Sequence, residues 1–163
     1  MLDNRTLELA KKVNERLTLA NHVMVTAESC TGGLVSAALT SVSGSSAILY
    51  GGFVTYANEA KTAMIGVPAD LIENHGAVSE QVARAMAEGA RRTASVDVAV
   101  ATTGIAGPGG GTDEKPIGLV HFGLATAERT LHRREHFGDV GRDHIRQESV
   151  RVALEMILEA YAP

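Results

Sequence analysis

Short apolar segments alternate with amphipathic segments through most of this chain, and that alternation limits the folds available to it. The apolar segments, rich in Val and Ala, predict strands at residues 22–27, 51–56 and 97–103. Helical periodicity and capping residues predict helices at about 4–19, 34–40, 59–65, 79–94 and 141–161, with shorter helical turns at 47–49 and 69–74. Two last strands, separated by a three-residue turn, form a predicted hairpin at 119–126 and 130–137. This order predicts an α/β protein, a three-layer α/β/α sandwich around a mixed sheet, made by a single domain over residues 1–163.

Composition narrows the function classes. The chain has 163 residues, of which 45% are hydrophobic, so one domain can bury a core without a disulfide or a metal. A formal net charge of −4 and an aromatic content of 4% argue against nucleic-acid binding. The single cysteine, Cys30, excludes an intramolecular disulfide and a cysteine-cluster metal site, and the histidines show no metal-ligand spacing. With no apolar signal core at the N-terminus, we expect a cytoplasmic protein that binds no membrane.

Three polar segments follow predicted strands, at Glu28–Gly33, Tyr56–Lys61 and Thr102–Thr112. Ligands in α/β sheets gather where the carboxyl ends of the strands meet, so we expect these segments to form one site.

Ser29 is the first candidate for chemistry, because it lies at a strand-to-helix turn. A helix start offers free N–H donors and partial positive charge, which suit a phosphate or a developing oxyanion. The simpler explanation is that Ser29 or Thr31 only caps the helix. Cys30 is a rival nucleophile, although a lone cysteine is more often a small buried apolar residue.

Lys61 is the second candidate. It is one of four lysines and the only one within the mostly apolar stretch 47–71. A lysine acts as a base only when it is neutral, which requires burial or a neighbouring cation, and a serine with such a lysine can attack an amide. The alternative is an ordinary lysine on a helix surface.

The glycine-rich segment Gly107–Thr112 is the third candidate. It lacks the Lys-Ser/Thr of a Walker A loop and does not match the GxGxxG pattern. Its backbone N–H groups can line a ligand site, or the segment can be a flexible connection only.

The chain resembles the CinA C-terminal domain family, which includes stand-alone nicotinamide-nucleotide amidases. The resemblance covers nearly the whole sequence, in order, through the blocks Thr26–Gly33, Gly44–Ser46, Gly52–Lys61, Gly76–Glu80, Thr103–Pro108, Glu114–Gly118, Gly141–Arg142 and Arg146.

That resemblance implies the three-layer fold and hydrolysis of the carboxamide of nicotinamide mononucleotide to nicotinic acid mononucleotide and ammonia, in pyridine nucleotide recycling. It implies Ser29, Lys61 and Tyr56 as catalytic residues, with Tyr56 relaying or orienting the proton and Ser46 as a rival nucleophile. It also implies Ser46, Thr103 and Arg142 as pocket residues. We expect Thr31, Gly32, Gly33 and Gly104, which lie in the Ser29 turn and at the end of the third predicted strand, to bind the substrate as well.

No cofactor or metal is expected. The expected partner is the small-molecule substrate, with no nucleic acid and no membrane, and a homodimer is left open. Two other functions also stay open: a non-catalytic nucleotide-binding domain that uses the same pocket, and a module connected with competence or DNA damage.

Overall fold

A computed structural model describes residues 2–163 and confirms the predicted sandwich. Five strands form a mixed sheet in the order β2-β1-β3-β4-β5, in which β1 pairs in parallel with β2 and β3, while β4 and β5 are antiparallel. The strands are β1 (Met24–Glu28), β2 (Leu49–Val54), β3 (Val98–Gly104), β4 (Leu119–Ala125) and β5 (Thr130–His136). The helices are α1 (Asn4–Ala20), α2 (Leu34–Thr40), α3 (Asn58–Ile65), α4 (Ala69–His75), α5 (Glu80–Ala94) and α6 (Arg142–Ala160), with a 3-10 turn at Ser45–Ala47.

Two apolar layers fix the helices on opposite faces of the sheet. On one face α1, α2 and α6 share a core with side chains such as Leu17, Leu39 and Leu154. On the other face α3 and α5 pack through residues such as Ile65 and Met86. Every β1 and β4 residue is buried, as expected for strands covered on both faces.

Helix starts follow the capping rules. Asp3 accepts a hydrogen bond from the Thr6 N–H at 2.9 Å, and Ser79 accepts one from the Val82 N–H at 3.3 Å. Strand β2 departs from its predicted range of 51–56: it begins at Leu49, which pairs with Met24, and ends at Val54. Thr55 still donates its N–H to the Glu28 carbonyl at 2.9 Å before the chain turns into α3.

The two edges of the sheet differ in charge. β5 carries charged or titratable side chains along most of its length, as an edge strand commonly does. β2, the opposite edge, has no charged residue and no proline, and it exposes Tyr50 and Val54. Within residues 2–163, no helix has the length and apolar character needed to cross a membrane.

Candidate active site

Ser29 lies in the turn that joins β1 to α2. Its N–H donates to the Thr102 carbonyl at 3.0 Å, which ties the turn to β3, and its side chain lines a cavity of about 270 Å³. Gly32 and Gly33 have φ values of +57° and +101°, in the left-handed region that glycine tolerates. The chain can therefore reverse tightly behind Ser29 and enter α2.

The expectation that Ser29 or Thr31 caps α2 is wrong. Gly33 holds the N-cap position, and the Thr31 hydroxyl bonds with that of Thr102 at 2.7 Å. The first-turn N–H groups of α2 instead find the carboxylate of Glu28, which accepts from Gly33, Val35 and Ser36 at 3.0, 3.1 and 2.9 Å.

This correction changes where an oxyanion could be held. The Gly33 N–H is used by Glu28, and the Gly32 N–H donates to the Ser29 carbonyl at 3.0 Å. Among the described residues, the turn's N–H groups without an acceptor elsewhere in the chain are those of Cys30 and Thr31. The two glycines therefore shape the turn. Neither they nor the fully buried Thr31 line the cavity, so the structure does not bring these three expected substrate-binding residues into it.

Lys61 is buried, not a surface lysine. It lies on α3 with 1% of its surface exposed, and its Nζ is 3.2 Å from Ser29 Oγ. The same nitrogen donates to the carbonyl oxygens of Thr55 at 2.8 Å and Tyr56 at 3.3 Å. Burial lowers the pKa of Lys61, against the smaller opposing effects of Cys30 and Glu59.

Cys30 is buried with 5% of its surface exposed. Burial raises the pKa of its thiol to about 12, aided by the Glu28 carboxylate and opposed by Arg146 and Lys61. A thiol that stays protonated is a poor nucleophile, whereas Ser29 Oγ lies 3.2 Å from the Lys61 amine, so Ser29 is the better placed of the two neighbouring candidates.

Tyr56 and Arg142 meet at the rim of the cavity. The Arg142 guanidinium donates to the Tyr56 hydroxyl at 3.1 Å and to the Gly107 carbonyl at 2.8 Å. The Tyr56 side chain is largely exposed, and the part of Tyr56 that contacts Lys61 is its carbonyl oxygen. The phenol is therefore placed toward Arg142 rather than between Ser29 and Lys61.

The glycine-rich segment lines the cavity through Gly107, Gly109 and Gly110, so it is more than a connection. Thr103 and Gly104, at the end of β3, complete this wall, and Thr103 Oγ1 donates to the Ala77 carbonyl at 2.8 Å. Ser46 is different: it lies exposed on the 3-10 turn and is not part of the cavity lining.

Two site residues were missed by reasoning from the sequence. Glu28 directly precedes Ser29, but nothing in its sequence context shows that it caps α2. Arg146 donates to the carbonyl oxygens of Cys30 and Thr31 from α6. Its spacing of four residues from Arg142, which places both on one side of a helix, was the available signal.

No group of three or more His, Cys, Asp and Glu side chains in the described part of the chain is arranged to hold a metal ion. The chemical groups that line the cavity include the Ser29 hydroxyl, the buried Lys61 amine, the Arg142 guanidinium and the backbone of the glycine-rich segment. Such a set can carry out acyl transfer by a serine that a lysine activates.

A model of the CinA C-terminal domain matches residues 6–161. The chain belongs to this family. The "Nicotinamide-nucleotide amidohydrolase PncC" of Escherichia coli strain K12 is 45% identical over 163 residues, covering 99% of this chain and 98% of that protein. The amidase predicted from the sequence agrees with the name of this relative, which the chain matches end to end.

Other members of the family are longer. A "CinA-like protein" of Synechococcus is 51% identical over 150 residues, and this chain spans only 36% of its length. Among solved structures, the "competence/damage inducible protein CihA" of Agrobacterium tumefaciens is 46% identical with a TM-score of 0.96. The match covers 100% of this chain and 99% of that one.

Proposed function

We propose that this protein hydrolyses the carboxamide of nicotinamide mononucleotide to nicotinic acid mononucleotide and ammonia, as a step in recycling pyridine nucleotides in the cytoplasm. The observation that carries the proposal is the 3.2 Å contact between the buried Lys61 amine and Ser29 Oγ, within a cavity that Arg142 borders. The full-length relationship to an amidohydrolase of that name supports the substrate.

In the first half of the reaction, Ser29 attacks the amide. Neutral Lys61 takes the proton from the Ser29 hydroxyl while Oγ forms a bond to the amide carbon. The N–H group of Cys30, which lines the cavity, is the candidate to stabilise the resulting oxyanion. The C–N bond then breaks, and the nitrogen leaves as ammonia with the proton that Lys61 had accepted.

In the second half, water hydrolyses the acyl enzyme. Lys61, neutral again, takes a proton from the water as its oxygen bonds to the acyl carbon. When the ester bond breaks, Lys61 returns the proton to Ser29 Oγ and the carboxylic acid is released. Ser46 is less suited to the nucleophile's role because it lies outside the cavity.

Arg142 is the residue we propose for the phosphate, because a planar guanidinium can bind a phosphate with two parallel hydrogen bonds. Its contacts with Gly107 and Tyr56 hold it at the mouth of the cavity. Tyr56 then orients Arg142 and borders the substrate, and Thr103 and Gly104 contribute to the glycine-rich wall.

Ammonia release from nicotinamide mononucleotide by the purified protein tests the proposal. We expect turnover that EDTA does not reduce, with nicotinamide and nicotinamide riboside as poorer substrates because they lack the phosphate. Ser29→Ala is the control that should abolish release. Absence of ammonia release from the nucleotide, or activity that is lost with EDTA and returns with zinc, contradicts the proposal.

A second copy of the chain is the protein partner we propose, at the β2 edge. Because Thr55 directs its N–H inward to Glu28, strand alternation turns the N–H and C=O groups of Gly52 and Val54 outward. An antiparallel pair centred on Gly52 brings the exposed side chain of Tyr50 near the partner's Val54, a favourable aromatic and β-branched combination. Light scattering should show a dimer that Tyr50→Lys disrupts; a monomeric wild-type protein contradicts this.

Nucleic acid and membranes are not among the partners we propose. The chain's net charge of −4 offers no general attraction for phosphate backbones. The competence-related names of its structural relatives specify no chemistry, whereas the Ser29–Lys61 contact favours catalysis over a binding-only module.

A further inference from the structure

The turn that carries Ser29 is held between two charged side chains that come from different directions. Glu28 contacts its N–H groups on the α2 side, and Arg146 contacts its carbonyl groups from α6. Neither side chain lines the cavity. Any effect of these two side chains on the reaction is therefore exerted through the position of the turn.

Glu28 binds the turn through three hydrogen bonds. It is 1% exposed, and its two carboxylate oxygens accept from Gly33, Val35 and Ser36 within 3.1 Å. A carboxylate at a helix N-terminus is favoured both by the free N–H donors and by the helix dipole. Its backbone meanwhile remains in the sheet, where its carbonyl accepts from Thr55. The residue before Ser29 is thus fixed at both its backbone and its side chain.

Arg146 binds the opposite side of the turn. Its Nε donates to the Cys30 carbonyl at 3.1 Å, and its Nη2 donates to the Thr31 carbonyl at 3.2 Å. These two carbonyls belong to the peptide units that join Cys30 to Thr31 and Thr31 to Gly32. Orienting them also orients the N–H groups of the same peptide planes, including the Gly32 N–H that donates to the Ser29 carbonyl at 3.0 Å.

We propose that Glu28 and Arg146 are positioning residues that together hold the turn so that Ser29 Oγ stays within reach of Lys61. This proposal rests on the function proposed above. Its physical basis is that a misplacement of about 1 Å in a reacting group can lower the rate about 100-fold.

Arg146→Lys is the main test, because lysine keeps the charge but lacks the planar fork that reaches both carbonyls. We expect kcat for ammonia release from nicotinamide mononucleotide to fall about 10- to 100-fold, with KM within about twofold of the wild-type value. Amide hydrogen exchange in peptides covering residues 29–36 should become faster in the same variant.

Arg151→Lys is the matched control. Arg151 lies on the same helix, is 8% exposed and pairs with Asp3 and Glu148 away from the cavity. This variant should lose thermal stability but keep wild-type kcat and wild-type exchange at residues 29–36. If Arg146→Lys only lowered stability, it would behave like Arg151→Lys, with unchanged kcat and unchanged exchange at residues 29–36.

Glu28→Gln tests the other side of the turn, and it replaces Arg146→Lys as the main test if that variant does not fold. Glutamine keeps the shape but replaces one acceptor oxygen with an NH₂ group that faces N–H donors. We again expect lower kcat at similar KM with faster exchange at 29–36.

Unchanged kcat in folded Arg146→Lys and Glu28→Gln overturns the proposal, whether or not exchange is faster. A rise in KM alone also overturns it, because Arg146 then contributes to substrate binding. If the wild-type enzyme releases no ammonia from the nucleotide, the proposed function itself is wrong. In that case hydrogen exchange still tests the positioning role, because unchanged exchange at residues 29–36 in both variants shows that Glu28 and Arg146 do not hold the turn.

Discussion

Removal of the Lys61 amine is the most direct perturbation of the proposed chemistry. Its Nζ contacts two carbonyl oxygens, of Thr55 and Tyr56, and the hydroxyl of Ser29. A neutral amine has two N–H groups and one lone pair. When the two carbonyls accept the two N–H groups, the lone pair is left for the Ser29 hydroxyl proton, which is the geometry that a general base requires.

Lys61→Met keeps a buried unbranched side chain of similar length and removes the base. Loss of a general base lowers kcat by about 100- to 10,000-fold, equivalent to about 3 to 5 kcal/mol of transition-state stabilisation. Lys61→Arg should be nearly as inactive, because a guanidinium does not give up its proton near neutral pH. An arginine variant that keeps its kcat and changes mainly in KM would show that Lys61 only attracts the substrate phosphate.

The pH profile gives an independent check. Burial lowers the pKa of Lys61 from its model-peptide value of 10.5, and the active form is the neutral one. Wild-type kcat/KM should therefore rise with pH through the lowered pKa and then level off. Ammonia release measured from about pH 6 to pH 10 tests this, since a flat profile, or one that falls with pH across that range, refutes a role as base.

The same group makes stability depend on pH. Between the lowered pKa in the folded protein and the ordinary pKa in the unfolded chain, unfolding binds a proton at Lys61, so the free energy of unfolding increases as pH rises. Lys61→Met should lack this contribution. Urea unfolding of both proteins at several pH values tests the difference, and identical slopes refute the assignment of a lowered pKa to Lys61.

Three further outcomes follow from the geometry. Ser29→Ala should lower kcat by several orders of magnitude while Cys30→Ala keeps most activity, and the reverse order in ammonia release would move the nucleophile to Cys30. Thr55→Val should keep or raise the unfolding free energy, because Thr55 Oγ1 is buried without a hydrogen-bond partner among the described residues. A clear decrease of the free energy measured by urea unfolding would show that this hydroxyl does have a partner. Gly89→Ala should cost about 1 to 3 kcal/mol by the same measurement, since a Cβ there meets the Ile65 carbonyl oxygen, and a neutral effect would show that α3 can shift.

The convergence of the candidate residues was predictable because it depends on strand order alone. Ser29 and Lys61 follow the parallel strands β1 and β2, Thr103 lies at the end of β3, and the carboxyl ends of such strands share one edge of the sheet. The helix and strand pattern was strong enough to place those strands. The predicted limits of β2 lay two residues too far along the chain, because Gly51 and Gly52 have little preference for strands and do not mark where β2 begins.

The contacts that hold the turn were not predictable in the same way. Arg146 reaches the Cys30 carbonyl across 116 positions of sequence, a distance at which no local pattern operates. The start of α2 was expected to offer free N–H donors to a ligand, and the opposite holds because the Glu28 side chain folds back onto those donors. Both cases depend on tertiary packing, which overrides local capping preferences.

The cavity is assembled from two parts of the chain that are far apart in sequence. The hydroxyl and the amine come from Ser29 and Lys61, whereas the glycine-rich wall and Arg142 come from the second half. Neither the glycine-rich wall nor Arg142 holds the Ser29 turn, which is bound by Glu28 and Arg146. Substitutions in the wall or at Arg142 can therefore alter which molecule is admitted without displacing Ser29 and Lys61, and this division offers protein engineers a place to start.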